Sequence, residues 1–281
     1  RQDGHDRMLA GDGGDELFGG NTRYATQRLF GIYGSLPGLL RRGIAEPLVD
    51  SGLLNRLPLL KKGASYVRKA RVPMPDRMES YNLIEHLGAG TILTPGFLAR
   101  IDTGIPLRHQ RETYAACPAS ASLINQMLAY DWRYTLAEND LPKVIGSARL
   151  AGVEVGFPLL DDRLLDFSLK LPVSYKLKGL KLRWFFKEAL RGFLPDEILV
   201  KKKHGFGLPF GPWAVNHPAL GKLATESLHG LADRDIVRRD FIDTLLKVHL
   251  PAHPGFHGEL VWIMTMLEQW LRTRQPAKHP D

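Results

Sequence analysis

The sequence predicts a predominantly α-helical chain of 281 residues. Two observations carry that expectation. Leucines and aromatics recur three and four residues apart through most of the chain, the spacing of an amphipathic helix. Only one run, Arg7–Ala10, is short and apolar enough for a buried strand, which is too little to build a nucleotide-binding sheet.

Taken in order, Glu16–Phe30 reads as a helix leaving a glycine turn. Leu36–Leu54 and Leu57–Val67 keep helical leucine spacing but are interrupted at Pro47 and Pro58, where a missing N–H and a bulky ring oppose a helix interior. Arg71–Pro75 is a basic hinge. Met78–Leu87 and Pro95–Ile101 read as short helices separated by a Gly88–Gly90 loop, and Arg108–Ala116 as another. Ala121–Ala137 is the clearest amphipathic helix of the first half, with Leu123, Met127, Tyr130, Tyr134 and Ala137 on one stripe. Pro142 suits the first turn of the next helix. Asp161–Leu171 has acids at its start, as the helix dipole favours, and Pro172 stops it. Lys181–Arg191 ends at Gly192. Asp196–Leu199 is a turn or short helix, His204–Gly211 a glycine-rich loop, and Pro218–His229, Asp240–Leu250 and Gly258–Arg272 close the chain. There is no internal repeat. Residues 1–274 read as one folded region and 275–281 as a polar tail, expected to be disordered.

The formal charge is +8, which raises nucleic acid as a partner. The basic residues are scattered, however, with concentrations only at Lys176–Arg183 and Lys201–Lys203 and no interleaved aromatics of a single-strand platform. They read as a solvated basic surface with a local site for a polyphosphate, and no nucleic-acid partner is expected. No apolar run reaches the ~18 residues that span a bilayer, and nothing at the start has a signal-peptide layout. Cys117 is the only cysteine, so no internal disulfide can form. The expected location is cytoplasmic, with no membrane partner. Arg1 opens the chain without a methionine in mid-polar stretch, as in a cut fragment.

The densest chemistry lies in Leu9–Asn21, LAGDGGDELFGGN, with five glycines and three acids. Gly11, Gly13 and Gly14 can adopt positive φ and admit a ligand close to the backbone. Successive N–H groups in such a turn form an anion-binding concavity. Asp12, Asp15 and Glu16 would repel a bare phosphate, so that reading requires a magnesium ion shared between carboxylate and phosphate oxygens. The alternative is a strand–turn–helix with Asp12 or Asp15 as N-cap.

LAGDGGDELFGG resembles the acidic-glycine motif of the asparagine synthetase family, glutamine-dependent ligases that adenylate a carboxylate and transfer ammonia to it. VEVGFPLLDD (Val153–Asp162) resembles that family's Glu-x-Arg-x-Pro-Phe-Leu-Asp segment. LPDEILVKKKHGFGLP (Leu194–Pro209) resembles its Leu-Pro-x-x-Ile…Arg-Lys-Lys-x-Gly-Phe-Gly-x-Pro segment. The three occur in family order and span most of the chain. The resemblance implies the C-terminal part of an α/β synthetase domain of the ATP-pyrophosphatase (adenine nucleotide α-hydrolase-like) type. The family's Ser-Gly-Gly-x-Asp-Ser phosphate loop and its glutaminase domain, with an N-terminal cysteine nucleophile, are not in this sequence, and Cys117 is internal. The chain would then carry one wall of an active site, work with those missing segments, and be inactive alone. Self-association is left open.

The resemblance also implies roles. Asp15 matches the family's magnesium-binding acid. Ala10 and Gly11, with Gly13 and Gly14, match backbone that lines ATP. Asp12 stands where an acid acts on the adenylate or the incoming ammonia, and Lys203 on the family's catalytic lysine. By itself Lys203 reads as a solvated lysine in a basic run, and the flanking motif is what favours the functional reading. The position of His204 varies in the family. Asp140, fourteen residues ahead of Glu154, resembles an acid near the ammonia-accepting centre or serves as an N-cap before Pro142. Three departures stand out: Gly156 replaces the family's arginine, Ile145–Gly152 lacks its Asp-Arg-x-Ser-Met-Ala pattern, and Asn21 replaces an aromatic. The implied reaction is ATP-dependent amide formation, by default on aspartate, with ammonia derived from glutamine, giving AMP and pyrophosphate. The alternatives are an amidotransferase acting on another carboxylate, such as a sugar acid, and a catalytically silent scaffold or binding subunit.

Overall fold

The computed structural model describes residues 2–51, 58–118, 120–201 and 208–274. Helices dominate, but two strands are present where the sequence signals one. β1 (Arg7–Leu9) and β2 (Glu154–Gly156) pair in parallel, with Arg7 opposite Glu154 and Leu9 opposite Gly156. The expected burial of the first strand is not met, since Met8 is 60% and Leu9 72% exposed. Parallel strands are ordinarily covered on both faces; among the described residues this pair is not.

The helix expected over Glu16–Phe30 is two helices, α1 (Gly14–Phe18) and α2 (Thr22–Gly34). Gly19, at φ +70°, ends the first. The Asn21 side chain then accepts from the Arg23 N–H at 3.1 Å and caps the second. Asn21 thus has a structural task as a cap, which an aromatic side chain could not perform. α3 (Pro58–Arg71) packs on α2 around Phe30, Tyr33 and Ala70.

After α4 (Ile105–Ala115), α5 (Leu123–Tyr130) runs unbroken through a π-helical stretch, Asp131–Asp140, into α6 (Leu141–Leu150). The wider i→i+5 turns rotate the buried face. Met127 and Tyr130 of the expected stripe are buried, Tyr134 is half-buried, Ala137 is exposed, and Leu136 takes the inner position. α7 (Asp162–Lys170) is capped by Asp161, which accepts from the Arg163 N–H at 2.9 Å. α8 (Val173–Lys176) and α9 (Trp184–Ala189) follow. α10 (Phe210–Asn216), α11 (Pro218–Asp233), α12 (Arg239–Thr244) and α13 (Pro254–Arg274) close the fold. No described helix is long and apolar enough to cross a membrane. The tail 275–281 lies outside the described residues.

The region expected to be one domain divides into two compact units, Arg1–Met78 with Pro106–Lys202, and Glu79–Ile105 with Lys203–Asp281. The first has a core of Tyr24, Ile124, Met127, Leu128 and Leu177. Asp131 is fully buried beside it, accepting from the Tyr24 hydroxyl at 2.6 Å and Thr135 Oγ1 at 3.2 Å, with Arg23 at 2.5 Å. Burial raises its carboxyl above the ordinary range against the pull of Arg23. Burial also pushes Glu16 up from 4.5 to about 7, and the charges of Asp15, Asp131 and Asp140 act in the same direction.

The second unit is built on Leu228, Leu231, Ile242, Leu245, Leu260 and Val261. α10 crosses α13 at two glycines. A Cβ on Gly211 would lie 1.9 Å from the Pro254 carbonyl oxygen, and one on Gly258 2.4 Å from the Gly211 Cα. Backbone cannot yield as a side chain does, so Gly211→Ala should cost about 1–3 kcal/mol in urea denaturation. Gly255→Ala faces open space and should stay within about 1 kcal/mol of wild type; equal effects of the two would refute the close crossing.

In the first unit, Glu16→Gln should stabilise the protein in a pH-dependent way. Below about pH 4.5 the glutamate is neutral folded and unfolded, and the variant gains nothing from losing it. As pH rises to about 7, only the unfolded chain ionises the group, so wild-type stability falls relative to the variant; above about 7 the gap is constant. Thermal melts of both proteins at intervals from pH 5 to 8 measure it, and a gap that does not widen contradicts the burial of Glu16.

Candidate active site

The glycine turn begins at the carboxyl end of β1, and the turn Phe157–Asp161 begins at the carboxyl end of β2. The two turns press together. A Cβ on Gly13 would sit 2.3 Å from Leu160 Cδ2, and one on Gly14 2.9 Å from Leu159 Cδ1. Gly13 also needs its φ of +92° to start α1. Gly11 differs: it is exposed, and nothing lies within 4 Å of a Cβ placed there. Two glycines therefore seat the motif on β2's turn, and the third leaves backbone open to a ligand. The Ala10 N–H is spent on the Gly156 carbonyl at 2.9 Å. Asp12 is half-buried at the turn, and its carboxylate makes no hydrogen bond among the described residues.

Asp15 faces Arg183. Its Oδ1 lies 3.5 Å from Arg183 Nη1, and a Cβ on Gly20 would meet the same oxygen at 1.7 Å. Arg183 is held from both ends: its N–H donates to the Gly19 carbonyl at 3.2 Å and its backbone takes the left-handed conformation at φ +52°, uncommon for a non-glycine residue. Phe18 stacks on Phe186 at 4.8 Å and ties α1 to α9. A carboxylate already facing a guanidinium is a single ligand at most. Among the described residues no three His, Cys, Asp or Glu side chains gather as a metal site. The residues at the turn do not by themselves build a magnesium cage, which needs near-octahedral oxygen ligation.

Asp140 is not an N-cap. The backbone passes through it in helical conformation (φ −73°, ψ −47°), and its carboxylate accepts from Lys143 Nζ at 2.7 Å. Its charge reaches Glu16, so the fold does bring it toward the motif. Glu154 is exposed and paired with Arg7 at 3.1 Å. Gly156, where the family's arginine is missing, has ordinary backbone; a Cβ there would meet the Leu9 Cδ2 methyl at 3.2 Å. Lys203 and His204 lie outside the described residues. Arg183 and Glu16 are the functional candidates that sequence reasoning passed over. Arg183 stood among other basic residues without distinction, and Glu16 looked like one more surface acid of the motif.

A sequence model of the asparagine synthase family matches residues 1–272. The chain is 23% identical over 266 residues to asparagine synthetase (glutamine-hydrolyzing) 1 of Bacillus subtilis (strain 168), covering 93% of this chain and 39% of that protein. It is 25% identical over 210 residues to a Mycobacterium tuberculosis (strain H37Rv) protein provisionally named a glutamine-hydrolyzing asparagine synthetase, covering 73% of this chain and 30% of the relative. The chain therefore spans less than half the length of the curated relatives it matches. No solved structure matches it. With the family match running across both units and the glycine motif seated at the carboxyl ends of its parallel strands, the chain belongs to the asparagine synthase family.

Proposed function

We propose that this chain carries one wall of the synthetase site of an ATP-dependent amide-forming ligase. The observation that supports it most is the meeting of the two motif turns at the carboxyl edge of a parallel strand pair, where open α/β sheets bind their ligands. In this reading a substrate carboxylate attacks the α-phosphate of ATP and pyrophosphate leaves. Ammonia then attacks the acyl-adenylate, loses a proton, and AMP leaves. Aspartate is the default acceptor and glutamine the ammonia source, as the names of the relatives suggest. Exposed Gly11 lets backbone approach the nucleotide, with Ala10, Gly13 and Gly14 shaping the turn. Asp12, free of hydrogen bonds at the opening, is placed to take the ammonium proton. ATP arrives with its magnesium. Asp15 orients Arg183, a fixed cation beside the turn, and Asp140 lends negative field from α6's start.

Another carboxylate as acceptor, or a silent scaffold, draws support from Gly156, which removes a bidentate cation from the second turn. Carboxylate-dependent pyrophosphate release by the intact protein separates the three: aspartate alone, a different acid, or none.

Two substitutions test the assignments. Charge on the α-phosphate grows toward the transition state, so Lys203→Ala in the intact protein should lower kcat by about a hundredfold or more with little change in nucleotide affinity. Lys201→Ala, equal in charge change, should be nearly silent; equal modest losses in both would show a diffuse basic surface. Asp15→Asn frees Arg183 and should lower adenylation by about tenfold, the scale of one charge-assisted contact. A magnesium titration should leave that loss unchanged, and recovery at high magnesium would return Asp15 to the metal.

A further inference from the structure

The first unit contains a cavity of about 350 Å³ between α1, α5, α7 and α8, within the size range of small-molecule sites. Leu17, Leu128, Trp132 and Leu165 give it an apolar wall. Two side chains that can carry full charge face it as well, Glu16 from α1 and Lys176 from the end of α8, together with the Cys117 thiol.

Lys176 is the anomaly. It is 4% exposed, yet among the described residues its ammonium makes no ion pair and no hydrogen bond. Glu16 lines the same cavity without pairing with it. Lysine is almost never buried without a partner, because desolvating an ammonium costs several kcal/mol unless an opposite charge offsets it. The Lys176 backbone is packed against Gly19, whose hypothetical Cβ would lie 3.4 Å from the Lys176 carbonyl oxygen, and this holds the end of α8 beside α1. Burial lowers the amine from 10.5 to about 8, which leaves it mostly protonated at neutral pH.

We propose that this cavity binds a small organic carboxylate with an apolar body, whose carboxylate pairs with the Lys176 ammonium. Asn125 and Ser168 line the same space. The Ser168 hydroxyl proton is committed to the Leu17 carbonyl at 2.7 Å, so serine can only accept, whereas the Asn125 amide can donate to a second carboxylate oxygen. The titratable groups facing the site are Glu16, Cys117 and Lys176; α5 and α7 present none. The site is separate from the glycine turn. Adjacent positions on a helix point about 100° apart, so Asp15 meets Arg183 while Glu16 and Leu17 turn into the cavity. The proposal stands whether or not the chain takes part in amide formation.

Isothermal titration of the full chain at pH 7 tests it with three probes of one shape: hexanoate, hexanamide and hexylamine. Hexanoate should bind roughly tenfold or more tightly than hexanamide, the scale of a hydrogen bond to a charged group. Lys176→Met should remove that preference while the thermal midpoint stays equal or rises, since an unpaired buried ammonium is replaced by an apolar side chain of similar length. The wild-type comparison of acid with amide stands on its own if the variant does not fold. Absence of hexanoate binding, equal affinity for hexanamide, tighter binding of hexylamine, or an undiminished preference in a folded Lys176→Met each overturns the proposal.

Discussion

The contact of Gly13 and Gly14 with Leu160 and Leu159 governs the first unit. At 2.3 Å and 2.9 Å from the leucine methyls, a methyl group at either glycine would force the facing leucine side chain to move, and at Gly13 it would also strain the positive φ. The strands behind those turns are three residues each and hold few ladder bonds. The turn-to-turn packing therefore carries much of the alignment that a longer sheet would supply. It also fixes α1, and through α1 the positions of Asp15, Glu16 and Leu17. The motif's glycines divide their labour between packing and access, and a substitution at 13 or 14 acts through geometry before it acts on any ligand.

Charge is distributed around α1 with the same dependence on packing. The charges of Asp131 and Asp140 reach Glu16, and burial keeps Glu16 and Asp131 above the usual carboxylate range. Arg23 offsets Asp131 and Arg183 offsets Asp15. Each arginine leaves its Nε buried without a hydrogen-bond partner. An unsatisfied buried donor costs about 1–3 kcal/mol, so these guanidiniums are held for their charge and position and not for optimal bonding.

Helix periodicity and caps were legible from residues alone where local chemistry decides. The start of α7 at its acids and the closing helices follow from side chains acting within a turn or two, whereas Pro142, expected in a first turn, lies inside a helix that is already running. The misses were long-range. β2 has no period-two pattern, because Glu154–Gly156 is a strand only by pairing with residues almost 150 positions away. The break inside Glu16–Phe30 came from the left-handed Gly19 and a cap at Asn21. The stripe on Ala121–Ala137 drifted because the helix widens at Asp131. For the site, the glycines and acids were visible as a string, but nothing in the string says which acid faces solvent and which a guanidinium.

The departure at Gly156 takes on a different weight beside Arg183. An arginine at 156 would project from the end of β2, over the Leu9 methyl that a Cβ there approaches at 3.2 Å. Arg183 instead reaches the motif from the segment before α9, anchored by Asp15 and by the Gly19 carbonyl. A planar, permanently charged group therefore stands beside α1. Gly11 keeps its open approach, while the neighbourhood of β2's turn is left to leucine and phenylalanine.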